Sequence, residues 1–369
     1  MANTNLHLAV VIALRYSAAR CQFGPSGEPE QPVLYYQTQQ RRLMPYLAAC
    51  FAHHHFSMTF YEDFIRLMVG RMTGEDKDVL ATLGMEIHGV SSAGKPLASW
   101  TAQQAVQECR EACGGHGYLS VSRLGKIRDD NDANCTYEGD NNVLLQQTSN
   151  WLLSMDRQGK FESPAGTVDW LNGWNDTVGP VFGDFHDVGV ILNCLRVLVF
   201  RLLKQTSKQI AELKSEGNDS FFARNNTQFH LARNLSLVFI QSVVVDRFRT
   251  FAEEHKAEFP VLATLSCLYA SWTLEQHATD LLVHEAISPV NLKVVRAHVL
   301  NICKQLVPDA IALADTLAPP DFILNSALGH SSGSVYQQLH QAFLDVPGAF
   351  QRPDFWVKYT EKYRQKAKL

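Results

Sequence analysis

The stretch from Leu6 to Leu14 constrains this chain more than any other. Leu6, Val10, Ala13 and Leu14 recur at helical spacing, and Leu8, Val11 and Ile12 fill the opposite side, so the helix they form is apolar nearly all round. Such a helix has no face to turn to water and must be buried among others. The rest of the chain supplies those neighbours. Met44, Leu47, Phe51, Met58, Tyr61, Ile65 and Met68 step by three, four or seven residues, which predicts a long amphipathic helix. Val79, Leu83, Ile87 and Val90 predict a third helical stretch. It resumes after Gly94 and Pro96 as a stripe of small side chains, Ala98, Ala102, Ala105, Cys109, Ala112 and Cys113, suited to close helix approach. Gly114 and Gly115 read as the left-handed cap that closes this helix, a polar loop follows, and a fourth helix is expected from about Asn141 to Leu153.

Residues 156–180 are rich in Gly, Asn and Asp and lack periodicity, so they read as a connection. Beyond it, Ile191, Leu195, Val199 and Leu202 mark one helix, Phe229 to Phe251 a second, Val261 to Ile287 a third and Val290 to Leu306 a fourth, with Pro260, Pro289 and Pro308 as punctuation. No window alternates as consecutive strands would, and no repeat of solenoid length occurs. The expectation is an all-α chain of two helical bundles, residues 1–155 and 181–369, joined by residues 156–180.

Lys and Arg number 33 against 37 Asp and Glu, a net charge of -4, with no basic run before the last dozen residues, which excludes nucleic-acid binding on electrostatic grounds. The longest apolar runs are broken by Arg15, Arg233 or Asp246 well before the roughly 18–20 residues a membrane span needs, so no span is expected. Eight cysteines without a Cys-x-x-Cys pair suit reduced thiols rather than a zinc site or a disulfide framework. The His53-His54-His55 run cannot converge on one ion, because consecutive helix positions diverge by about 100°. His55 falls on the apolar stripe and is expected to be a hydrogen-bonded core histidine. Asp130-x-Asp132-x-Asn134 starts like a calcium loop, but Cys135 and Asn141 stand where glycine and glutamate are required, so no metal is expected.

Chemistry concentrates between Cys109 and Asn142. Gly114, Gly115 and Gly117 lack side chains, so backbone N–H groups there could lie against a flat or anionic ligand as well as cap a helix. Glu138, between Tyr137 and Gly139, could serve as a general base or sit solvated where it complements a helix dipole. Ala367-Lys368-Leu369 ends the chain with a small-basic-Leu tripeptide equivalent to a peroxisomal address.

Taken together, Ile12 to Gly24 (IALRYSAARCQFG), Tyr36 to Gln40 (YQTQQ), Ser99 to Gln104 (SWTAQQ), Cys113 to Tyr118 (CGGHGY), Cys135 to Gly139 (CTYEG) and the closing tripeptide resemble the peroxisomal acyl-CoA oxidases over essentially the whole chain. Arg128 to Asn142 looks most like the branched-chain (pristanoyl-CoA) oxidases of that family. The resemblance implies a peroxisomal, FAD-dependent, homodimeric enzyme that dehydrogenates acyl-CoA to trans-2-enoyl-CoA and reduces molecular oxygen to hydrogen peroxide. It implies Glu138 as the base that removes the acyl α-proton. It further implies Arg20, Gln22 and Gln37 as contacts to FAD of the neighbouring subunit, Gly114 and Gly115 as a flavin-contacting turn, and Asp140 and Asn142 as positions near FAD. In related dehydrogenases a Thr and a Gln stand at those last two positions, and a Gln stands where this chain has Glu111. Ala367, Lys368 and Leu369 would be read by the peroxisomal import receptor. Full-length members carry an N-terminal helical domain and a β-domain ahead of the first helix seen here. Two alternatives remain open: an acyl-CoA dehydrogenase using the same base, and a non-catalytic helical chain that pairs with a complete oxidase.

Overall fold

In the computed structural model, which describes residues 1–175 and 177–367, the described residues form helices and no strand. The sole extended pairing among them is an isolated antiparallel bridge between Cys21 and Pro32. The helices are α1 (Ala2–Ala19), α2 (Gln37–Thr73), α3 (Lys77–Ala112), α4 (Gly114–Tyr118), α5 (Leu124–Asp132), α6 (Asn141–Gln158), α7 (Val188–Ser215) and α8 (Ser220–Asn225). They continue as α9 (Arg233–Glu254), α10 (Pro260–Gln276), α11 (Ala278–Val283), α12 (Pro289–Gln305), α13 (Ala310–Leu317), α14 (Asp321–Leu324), α15 (Val335–Leu344) and α16 (Phe355–Lys366).

Helix α1 is the axis of the first half, as its apolar circumference requires: Leu6, Val10, Val11, Ile12, Ala13 and Leu14 are fully buried. It packs against α2, α3, α5 and α13. The small stripe of α3 does what its side chains allow, with Ala102, Ala105 and Cys109 fully buried. In the second half α7, α9 and α10 pack on one another, while α10 and α12 lie against α2. One apolar core therefore runs through both halves. All eight cysteines are unpaired.

Caps explain where the helices begin. Asp76 accepts the backbone N–H of Asp78 at 2.8 Å to start α3, Asp187 accepts that of Gly189 at 2.7 Å to start α7, and Ser288 accepts that of Asn291 at 3.1 Å to start α12. Pro260 and Pro289 occupy first-turn positions, where a missing N–H costs nothing.

Several expectations are corrected. Gly94 and Pro96 do not interrupt α3, which runs unbroken from Lys77 to Ala112; the residues flanking Pro96 are packed into the bundle, and tertiary burial outweighs the lost backbone hydrogen bond. The polar loop before α6 instead holds α4, α5 and two short 3-10 turns. Helix α6 runs five residues past Leu153, to a left-handed Gly159. The single helix expected over Val261 to Ile287 is two, α10 and α11, parted at His277. The core histidine is His53, not His55. His53 is buried and pairs through Nε2 with the Tyr269 hydroxyl at 3.1 Å, whereas His55 is half-buried and stacks on Phe251. Beyond His53 the expected stripe leaves the core: Met58, Tyr61, Ile65 and Met68 are exposed, because the second half of α2 extends past the helices that cover its first half.

Candidate active site

Glu138 lies in the turn between a 3-10 turn, Ala133–Cys135, and the N-terminus of α6, and it is exposed. Its φ of 55° is left-handed, a conformation that costs a glutamate roughly 1–3 kcal/mol and persists only where its surroundings fix it. They do fix it. On one side the Tyr137 hydroxyl donates to Asn134 Oδ1. Asn134 Nδ2 donates to Asn131 Oδ1 at 3.0 Å, and Asn131 Nδ2 donates to the Ser99 carbonyl at 3.2 Å and to Gln103 Oε1 at 2.8 Å. On the other side Lys95 Nζ donates to the Gly139 carbonyl at 2.7 Å and to Asn141 Oδ1 at 2.8 Å. Asn141 in turn donates to Ser99 Oγ at 2.9 Å. Both flanks of the glutamate are thus tied to α3 through buried polar groups.

Glu138 lines a cavity of about 360 Å³ between the start of α1, the middle of α2 and α3, with Asn3, His53, Phe56, Phe60 and Lys95 among its walls. Burial holds the Lys95 pKa below the usual lysine value, against the upward pull of Cys135, Asp140 and Glu138. A carboxylate beside a mostly apolar cavity, on a backbone pinned at both ends, can meet a proton of a bound molecule at a fixed position.

The other expected residues divide between two places. Asp140 and Asn142 stay with Glu138, but Asp140 is the N-cap of α6, accepting the backbone N–H of Asn142 at 2.9 Å and of Val143 at 3.3 Å. Arg20, Gln22, Gln37, Gly114 and Gly115 collect at the far end of α1, where the C-terminus of α3 meets the start of α2. Gln39 ties that end together, donating to Ser17 Oγ at 2.8 Å and to the Ala112 carbonyl at 2.9 Å. Arg20 donates to the Tyr336 hydroxyl and, at 3.4 Å, to Gln22 Oε1. Gln37 is exposed at the first position of α2. Gly114 has φ 58° and closes α3 as expected, while Gly115 is not left-handed; both face open space, with nothing within 4 Å of a would-be Cβ. Gly117 is the sterically obligatory glycine, since a Cβ there would sit 2.1 Å from the Arg110 carbonyl oxygen. Helix α1 has 18 residues and so spans about 27 Å, which separates the Arg20 group from Glu138 within one chain.

The sequence marks Asn134 only as part of a rejected calcium-loop pattern, and it does not single out Lys95, Asn131 or Tyr336. A lysine inside an otherwise small, core-facing helix stripe was the available signal for Lys95; Tyr336 gave none. Among the described residues no group of three or more His, Cys, Asp and Glu could hold a metal ion, and no helix is long and apolar enough to cross a membrane. Ala367 follows α16 and is exposed; Lys368 and Leu369 lie outside the described residues.

Two family models match the chain, one described as "Acyl-CoA oxidase, C-alpha1 domain" over residues 1–153 and one as "Acyl-CoA oxidase" over residues 187–365. The human protein "Peroxisomal acyl-coenzyme A oxidase 3" is 45% identical over 376 residues, covering 98% of this chain and 53% of the relative. Arabidopsis thaliana acyl-CoA oxidase 1 superposes with a TM-score of 0.87 at 28% identity, covering 99% of this chain and 56% of that one. Acyl-CoA oxidase-1 of Caenorhabditis elegans, solved in complex with FAD and ATP, superposes with a TM-score of 0.90 at 24% identity, covering 99% of this chain and 56% of that one, a likeness of fold. The chain spans about half the length of the curated relatives it matches.

Proposed function

The chain belongs to the acyl-CoA oxidase family, and from that premise we propose that it supplies the base and the helical half of a peroxisomal oxidase of branched-chain acyl-CoA. The observation that carries this reading is Glu138, a carboxylate on the wall of a 360 Å³ cavity with its backbone held left-handed by Lys95 on one side and Tyr137 on the other. Glu138 takes the α-proton of the thioester, and the product is the trans-2-enoyl-CoA. An α-proton beside a thioester is a poor acid, so the carboxylate must be placed rather than merely present; positioned bases of this kind contribute roughly 10²–10⁴-fold. Phe56, Phe60 and Leu97 give the acyl chain an apolar wall, and Lys95 keeps the turn in register.

The residues at the far end of α1 suit FAD as a donor set. The Arg20 guanidinium and the carboxamides of Gln22 and Gln37 match a pyrophosphate and an adenosine, and the open space in front of Gly114 and Gly115 leaves backbone free to be approached. FAD held there would provide a hydride acceptor for the β-hydrogen and a route for those electrons to molecular oxygen, as hydrogen peroxide. With the Arg20 group at the opposite end of α1, a helix about 27 Å long, from Glu138, the reading puts that group against the FAD of a second subunit, hence a homodimer. Asp140, already spent on the α6 N-cap, would stand near the flavin as a positioning residue, and Asn142, exposed beside it, as a contact. Ala367-Lys368-Leu369 would direct the chain to the peroxisome through the import receptor.

The test is the visible spectrum of the purified chain incubated with FAD, with peroxide release measured on a 2-methyl-branched acyl-CoA in the same sample. Bound flavin and peroxide, with peroxide lowered by about 10²-fold or more in Glu138→Gln, are expected because an amide cannot accept the proton. An active Glu138→Gln protein would overturn the base assignment, and a folded, colourless, inactive chain would overturn catalysis by this chain.

A further inference from the structure

A second site lies away from both groups described above. We propose that the cleft between the C-terminal ends of α6 and α7 and the short helix α8 binds a phosphate monoester. Arg157 in the last turn of α6, Lys214 in the last turn of α7 and Arg224 on α8 line one cavity of about 200 Å³ together with Asn150, Leu153 and Ile210. Three cations from three helices therefore converge on a space that holds no acid.

What sets the three apart is that they line one cavity, whereas other cations of α7 are neutralised singly. On α7, Arg196 pairs with Asp246 at 2.8 Å, Lys204 with Asp156 at 2.6 Å and Lys208 with Glu212 at 3.8 Å. Among the described residues, none of Arg157, Lys214 and Arg224 has a carboxylate within 4.0 Å. The carboxylate beside the cleft, Asp156, is already engaged by Lys204 and by the Ser207 hydroxyl, each at 2.6 Å.

Two helix C-termini also point into this region, and each carries about half a negative charge. The three cations leave the cleft net positive even after the partial negative charge of the helix C-termini around it, as binding of a phosphate monoester requires. Guanidinium groups suit phosphate oxygens because their N–H bonds pair with two oxygens at once. The side-chain amide of Asn150 makes no hydrogen bond among the described residues and is free to donate. Leu153, Ile210 and Ala211 give the cleft an apolar floor, so an ester with a short apolar group is favoured over bare phosphate.

The experiment is calorimetric titration of the whole chain with inorganic phosphate and with butyl phosphate, beside co-sedimentation with phosphatidylcholine vesicles containing or lacking phosphatidic acid. Saturable binding is expected, tighter for butyl phosphate than for phosphate, and weakened by about threefold or more when salt is raised from about 0.05 to about 0.5 M. The exposed pair Arg157→Ala and Arg224→Ala, checked for native helicity, should weaken it by about tenfold or more, while Lys208→Ala, which removes a paired lysine on the same helix, should not. Binding of soluble ester alone supports the site with a soluble source. Binding of phosphatidic acid vesicles alone supports it with a lipid headgroup as the source. No saturable binding in either arm, or binding that the double variant leaves unchanged, overturns the proposal.

Discussion

The carboxylate of Glu86, wholly buried on α3, accepts both the backbone N–H of Thr167, at 3.1 Å, and the Thr167 hydroxyl. The Ser163 hydroxyl donates to it as well, and so does the backbone N–H of Ala165 at 2.8 Å. One side chain thus satisfies four donors from residues 163–167 and pins the connecting segment to the first bundle. Glu86→Ala would remove the acceptor these donors share, leaving the Thr167 hydroxyl buried without one and the Thr167 N–H only Ser163 Oγ at 2.6 Å, at a cost of about 3 kcal/mol, whereas Glu86→Gln, which keeps one carbonyl oxygen, should cost about half as much. Urea unfolding checks this: Glu86→Ala is expected to be the less stable of the two, and equal stability of both variants and the native chain would contradict the anchor.

The glycine turn after α3 gives an equally sharp contrast. A Cβ at Gly117 meets the Arg110 carbonyl oxygen at 2.1 Å, backbone that cannot step aside, while a Cβ at Gly115 meets nothing within 4 Å. Gly117→Ala should therefore destabilise by about 2 kcal/mol or more, and Gly115→Ala by less than about 0.5 kcal/mol. If the flavin reading holds, Gly115→Ala should weaken FAD retention without loss of stability. Thermal unfolding and flavin content of the two variants separate these effects.

Burial also sets a pH dependence. The pKa values of His7, His53 and His277 are each held down to about 4, chiefly by desolvation of the charged ring. Once unfolded, each ring takes up a proton near pH 6.5, so below that pH the unfolded chain binds more protons than the native one. Stability is then complete above about pH 6.5 and falls as pH drops toward about 4, by at most roughly 3 kcal/mol per histidine. Urea midpoints between about pH 7 and about pH 5 should decline, and His277→Gln should flatten the decline. A midpoint independent of pH over that interval would contradict the buried neutral rings.

The long elements were legible because each carries apolar residues at sustained helical spacing, in α1 around nearly its whole circumference. Helix α5 was hidden because it buries only Leu124 and Ile127 as apolar residues, the third buried position being Asn131, satisfied by hydrogen bonds rather than by hydrophobicity. Pro96 misled in the other direction: the local rule against proline in a helix was outweighed by packing that lies far away in sequence. The tie from Glu86 to Thr167 spans 81 residues and has no periodic signature at all. For the site, residue types were visible in the Cys109–Asn142 stretch, but Glu138 rose above a solvated glutamate only through the family resemblance. Its support by Lys95 depends on how α3 passes the turn, which no spacing encodes.

That support yields the last expectation. At an ordinary helical position glycine is less stable than alanine by about 0.5–1 kcal/mol. At Glu138, with φ 55°, the order should invert, because alanine retains the Cβ that makes left-handed backbone costly and glycine does not. Glu138→Gly should therefore be more stable than Glu138→Ala by about 1 kcal/mol, although both lack the carboxylate and both should lose the proposed proton abstraction. Paired urea unfolding and peroxide assays read the two properties separately. An alanine variant as stable as the glycine variant would mean that the turn relaxes out of the left-handed region once the side chain is gone, and that Lys95 and Tyr137 do not hold it there.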